Sequence, residues 1–136
     1  FIKEKVEDEY LLKVIEIMKD RVKTLRDFWD FGDYFFREPE KFDPDGVEKY
    51  LKNEKIPEYF EKLCQKFENL PKFNVEEIEM AIRGLAKELG IKAKDIIHPV
   101  RVAVSGRTVG PSLFHMLEVL GKERVLRRLK KWCKRN

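Results

Sequence analysis

Apart from the carboxylates, the His, Ser and Cys side chains that could act as bases, nucleophiles or metal ligands are His98, His115, Ser105, Ser112, Cys64 and Cys133. No catalytic set is legible among them. The histidines stand 17 residues apart, and neither has a partner at metal-ligand spacing, so zinc is not expected. His98, just before Pro99, reads as a helix cap or turn residue. His115, beside Phe114, reads as a residue at the solvent edge. Neither serine has His–Asp company. The cysteines sit among apolar neighbours on predicted helices and read as buried, reduced thiols. There is no Walker-type phosphate loop and no dinucleotide fingerprint. The carboxylates are scattered along helix faces, a number of them in i, i+4 relation to lysines, the ordinary pattern of a solvated helix face.

What remains is recognition. From Lys122 to Asn136 there are eight basic residues and one acidic, a net charge of +7, while the other 121 residues sum to −3. A near-neutral body with a basic end suits a polyanion, and equally a solubilising helix face. Phe28, Trp29, Phe31, Tyr34, Phe35 and Phe36 crowd one stretch. Such rings can stack RNA bases, but they lie on an apolar stripe and read as core.

The elements that must position these residues are helical. The chain has 136 residues, 43% hydrophobic and 40% charged, which fits one domain or two small lobes. Its apolar runs are too short to span a membrane. It opens at Phe1 with no secretory pattern and reads as cut from inside a longer chain. Apolar positions from Leu11 to Trp29 recur every three or four residues and predict one helix over 8–31, capped by Asp8 and ended by Gly32. Asp43-Pro44 is an N-cap followed by proline at the first helical position, and Pro57 restarts the pattern. Asn74 with Glu77 forms a capping box for a helix that ends at Gly90.

The run Val100 to Val104 alternates like a strand, but nothing else in the chain can pair with it. A short helix with Pro99 in its first turn and Gly106 as its stop fits better. Pro111 starts another helix. The last helix, from Lys122, turns Val125, Leu126, Leu129 and Trp132 inward and leaves Arg124, Arg127, Arg128, Lys131 and Arg135 outside. The sum is an all-α chain of six to eight short helices in two lobes, 1–73 and 74–136.

His98-Pro99-Val100-Arg101-Val102-Ala103-Val104-Ser105-Gly106-Arg107-Thr108-Val109-Gly110-Pro111-Ser112-Leu113-Phe114 resembles the signature of the anticodon-binding domain of bacterial-type glutamyl-tRNA synthetases. The stretch Leu117 to Leu129 looks like that family's closing helix, and Asp20 to Leu25 with Phe35-Phe36 looks like its first helix and aromatic step. The resemblance implies a compact helical cage that holds an anticodon loop. It implies that Arg101 contacts an anticodon base and that Gly110, Pro111 and Leu113 line the base pocket, with Gly110 standing where some members have Thr. An arginine of the first lobe, Arg21 or else Arg26, would take part in telling glutamate from glutamine anticodons.

Arg107, Arg127, Arg128 and Lys131 are the candidates for the RNA backbone. On the residues alone, Arg101 is equally a structural arginine bridging helices. The implied partners are tRNA-Glu, or tRNA-Gln as well, and a catalytic domain of the same cytoplasmic, monomeric enzyme, with no membrane. This chain would hold no cofactor, because ATP and Mg belong to that catalytic domain. Two other readings stand beside this one: a helical protein-interaction module, and the anticodon domain of another class I synthetase such as the lysyl enzyme.

Overall fold

A computed structural model describes residues 8–133, and among them the regular structure is all helical. The elements are α1 (Asp8–Met18), α2 (Leu25–Gly32), a 3-10 turn (Asp33–Phe35), α3 (Pro44–Gly46, a single turn), a π turn (Val47–Leu51), α4 (Ile56–Glu68), α5 (Val75–Leu89), α6 (Lys94–Ser105), α7 (Leu113–Leu120) and α8 (Lys122–Lys130). No helix among the described residues is long and apolar enough to cross a membrane. Arg135 lies outside the described residues.

The single helix expected over 8–31 is two. It breaks after Met18, and Thr24 restarts it, its Oγ1 accepting a hydrogen bond from the Asp27 amide at 3.0 Å. A threonine placed to cap competes with one placed inside a helix. The apolar stripe also gives no reward for continuing, since Leu25 is 87% exposed. Asp43 caps α3 as expected, accepting from the Asp45 amide. Asn74 caps α5, accepting from Glu77, and Gly90 ends it at φ 69°.

Helix α6 is the centre of the molecule and packs against the 3-10 turn, the π turn, α4, α5 and α8. It begins five residues before Pro99, so that proline lies inside the helix, not in its first turn. The carbonyl a proline leaves without its usual donor is that of Asp95, an exposed residue near the helix start, so the interruption is inexpensive. His98 is therefore a helical residue, stacked on Tyr50 with ring centroids 5.1 Å apart, and not a cap. Val100, Val102 and Val104 are fully buried, which settles the run as helix.

Gly106 ends α6 at φ 76°, and a Cβ there would meet the Lys41 carbonyl oxygen at 2.8 Å. Its own carbonyl accepts from the Asp43 amide at 2.8 Å. Only glycine meets both conditions. The core holds residues from both sides of the Pro71 to Asn74 loop, including Phe35, Phe60 and Phe67 before it and Ile82, Met116 and Leu129 after it. Each such side chain contributes about 1.5–3 kcal/mol of burial.

Candidate nucleic-acid interface

The left-handed turn at Gly106 throws the chain into the loop 107–112. That loop closes over the 3-10 turn and the break between α1 and α2. A cleft of about 220 Å³ opens there, lined by Met18, Arg21, Phe31, Arg107, Val109, Gly110 and Pro111. Four of the predicted site residues, Arg21, Arg107, Gly110 and Pro111, thus meet from opposite ends of the sequence. Arg26 does not line the cleft and lies 4.0 Å from Asp30.

Arg101 sits behind this cleft, half-buried on α6, and donates from Nη1 to the Pro111 carbonyl at 2.7 Å. Burial pulls its pKa down, the Tyr34 phenol opposes this, and the nearby Arg21 charge adds to the fall. Two guanidinium groups that repel each other beside an opening are a site an anion or an electron-rich base edge would relieve. Arg107 is partly neutralised by Asp33, at 2.9 Å, and its guanidinium carbon lies 5.7 Å from the Tyr34 ring centroid.

The Tyr34 hydroxyl completes the arrangement, although by its place in the aromatic run Tyr34 reads only as one more core ring. It is buried, and no described protein group hydrogen-bonds it. Burial pushes its pKa up to about 12 against the pull of Arg107, Arg101 and Arg21, so it stays a protonated donor at neutral pH. A Cβ on Gly110 would lie 3.4 Å from Arg101 Nη1 and 3.5 Å from the Tyr34 hydroxyl, so glycine is what separates these groups from the cleft. Tyr34→Phe is expected to leave folding stability unchanged, or to raise it by up to about 1–3 kcal/mol, because it removes a buried donor without a protein partner. Urea denaturation measures this, and a clear loss of stability would show that the hydroxyl is already satisfied.

Two expected positions are corrected. Leu113 does not face the groove. At 3% exposure it joins Met116, Leu117 and Leu120 on the buried stripe of α7, so it supports the loop from beneath. Arg128 is not outside. It is 2% exposed, one residue before Leu129 and three after Val125, on the inward face of α8. Its Nε donates to one oxygen of Glu38, its Nη1 to the Val104 carbonyl at 2.7 Å and its Nη2 to the Arg37 carbonyl at 3.2 Å. A guanidinium so committed is not placed to reach a phosphate.

Arg127 donates to the other Glu38 oxygen but is half-exposed, and Lys131 is exposed. Arg124 is half-buried over the Tyr10 ring at 4.4 Å. Apolar cleft residues that periodicity assigned to the core, or did not mark, are Phe31, 50% exposed, and Val109, 73% exposed. Beyond Pro111, Phe114 is half-buried with the Arg83 guanidinium 5.7 Å from its ring centroid.

A family model described as an anticodon binding domain matches residues 1–133. A glutamate–tRNA ligase of Caldicellulosiruptor saccharolyticus is 40% identical over 132 residues, which are 97% of this chain and 27% of that protein. One from Chlorobium luteolum is 43% identical over 124 residues, 91% of this chain and 24% of that protein. Among solved structures, a glutamate tRNA ligase from Elizabethkingia meningosepticum, in complex with its amino acid, superposes with a TM-score of 0.87 at 29% identity. It is covered over 96% of this chain and 26% of its own. The chain thus spans about a quarter of the length of the relatives it matches.

Proposed function

Because the chain belongs to the anticodon-binding domain family, we propose that it holds the anticodon loop of tRNA-Glu, or of tRNA-Gln as well, for a glutamate–tRNA ligase. The single observation that carries this reading is the convergence of Arg21, Arg101 and Arg107 on one cleft roofed by Gly110 and Pro111. Loop bases are read by splaying them out, packing their faces and hydrogen-bonding their edges. Here Phe31, Val109 and Pro111 supply apolar walls for a base face. Arg21 supplies donors from the rim and Arg101 from behind.

One Arg101 donor is spent on the Pro111 carbonyl, which fixes the plane of the guanidinium while its other donors remain for an edge. Of the backbone candidates, Lys131, just past α8, and Arg127, beside Glu38 on α8, are left to attract the RNA backbone. Glutamylation with ATP and Mg belongs, in this reading, to a catalytic domain of the same cytoplasmic, monomeric enzyme. This chain's residues take no part in holding either cofactor.

The test is binding of tRNA-Glu transcript to the chain across a salt series, with ATP–pyrophosphate exchange assayed in parallel. Affinity that falls steeply with salt, with no exchange above background, supports the reading. Salt-independent or absent tRNA binding would remove it.

A further inference from the structure

We propose that the groove between the π turn, the start of α4 and the first half of α6 is a second RNA-contact surface, which grips the backbone of the same RNA whose loop enters the Arg101 cleft. The inference rests on the RNA-binding reading above. The groove holds about 640 Å³ and is distinct from the cleft in its lining. Lys49, Lys55 and Lys94 stand around it, all exposed, and none of them forms an ion pair among the described residues. The half-buried rings of Tyr50, Tyr59 and His98 form its wall. Asp95 is its one carboxylate, and it accepts from the Lys92 amide at 3.1 Å. Unpaired cations around aromatic surface make the combination that tracks a single strand, the lysines taking phosphates and the rings taking base faces.

Two further features tie the groove to the cleft. Lys94, His98 and Arg101 follow one another at steps of four and three, so the groove residues share one stripe of α6 with the arginine behind the cleft. From Lys94 to Arg101 the rise is about 10 Å at 1.5 Å per residue, a span one RNA loop can cover. The groove's other wall is a π turn, closed by the Lys52 amide on the Val47 carbonyl at 3.1 Å. Such turns are rare, cost helical regularity and are frequent at functional sites. This one carries Lys49 and Tyr50 to the groove, where Tyr50 stacks on His98 and Lys49 Nζ lies 5.3 Å from the Tyr50 centroid. At its base, a Cβ on Gly46 would lie 2.7 Å from Thr108 Cγ2, so the turn is seated directly on the loop that bears Gly110 and Pro111.

The experiment measures binding of a fluorescent stem-loop RNA carrying the tRNA-Glu anticodon to the 136-residue chain over a salt series. The groove variant is Lys49→Gln/Lys55→Gln/Lys94→Gln. A control variant, Lys62→Gln/Lys72→Gln/Lys87→Gln, removes the same charge from exposed positions elsewhere. All six side chains are exposed, and circular dichroism checks the fold. The groove variant is expected to bind about tenfold more weakly, with the log–log salt slope smaller in magnitude by about 2, or roughly 0.7 for each single-strand phosphate contact. The control is expected to change affinity by less than about threefold.

Equal losses in the two variants would mean diffuse attraction and overturn the groove. So would an unchanged groove variant while Arg101→Ala weakens binding. Wild-type chain that fails to bind the stem-loop would remove the RNA reading itself and the groove with it. Capture of a poly-glutamate peptide in the groove, undisplaced by RNA, would overturn the proposal in favour of a protein partner.

Discussion

Arg128→Ala is expected to lower folding stability by up to about 3–5 kcal/mol, the cost of breaking a buried ion pair by deleting one partner, because Arg128 is 2% exposed although Glu38 is 30% exposed. Arg128 joins three segments through Glu38 and the carbonyls of Val104 and Arg37. Its removal leaves the Val104 and Arg37 carbonyls short of donors and Glu38 with Arg127 alone. Arg127→Ala touches the same carboxylate from a half-exposed position and is expected to cost less than about 1 kcal/mol. Urea denaturation of the two variants measures the contrast. Wild-type stability in Arg128→Ala, with weakened RNA binding, would return Arg128 to the backbone-contact role.

Acid should act through the same carboxylate. Burial pushes the Glu38 carboxyl up, but hydrogen bonds and charge from Arg127 and Arg128 outweigh it and hold its pKa below the ordinary value. A carboxylate depressed in the folded state contributes stability above its unfolded pKa and loses it as pH falls through the folded one. The stability gap between the wild type and Glu38→Gln should therefore be full near neutrality and shrink below about pH 4.3.

Arg101→Ala is expected to weaken RNA binding by about 1–3 kcal/mol, the range of one specific base contact, and by an amount that depends on the anticodon. A phosphate contact would cost the same whichever base is present. The Pro111 hydrogen bond gives Arg101 a scaffolding share as well, since it pins the loop that roofs the cleft. Binding of matched and anticodon-swapped tRNA therefore needs to be read beside the stability of the variant. An equal loss for both RNAs, or a loss explained by unfolding, would make Arg101 a scaffold residue.

The helices were legible because capping and burial agree locally. Asn74, Asp43, Gly90 and Gly106 mark ends where the structure has them. The break between α1 and α2 was less so. Apolar spacing carried the pattern through Val22 and Leu25, while Thr24 offered a cap that only the packing could favour. The burial of Arg128 was illegible for a related reason. A basic residue in a run with Arg127, Lys130 and Lys131 reads as surface, and its partner stands 90 residues upstream, beyond the reach of periodicity. Tyr34 shows the same limit. In sequence it is one ring of an aromatic run, and only the return of the loop at Gly110 sets its hydroxyl beside three arginines.

The seating of α8 has a consequence for how the chain is made. Helix α8 packs on α4, α6 and α7, and Arg128 reaches Glu38 across 90 residues. Ribosomes deliver the N-terminal part first. Glu38 and the inner faces of α4 and α6 must therefore wait, solvated and uncovered, until nearly all of this chain has emerged. A message ending before α8 would yield a product with an exposed apolar face and an unpaired carboxylate, features that draw proteases and chaperones. Emergence of α8 and closure of this core are thus one event, and α8 is the latch.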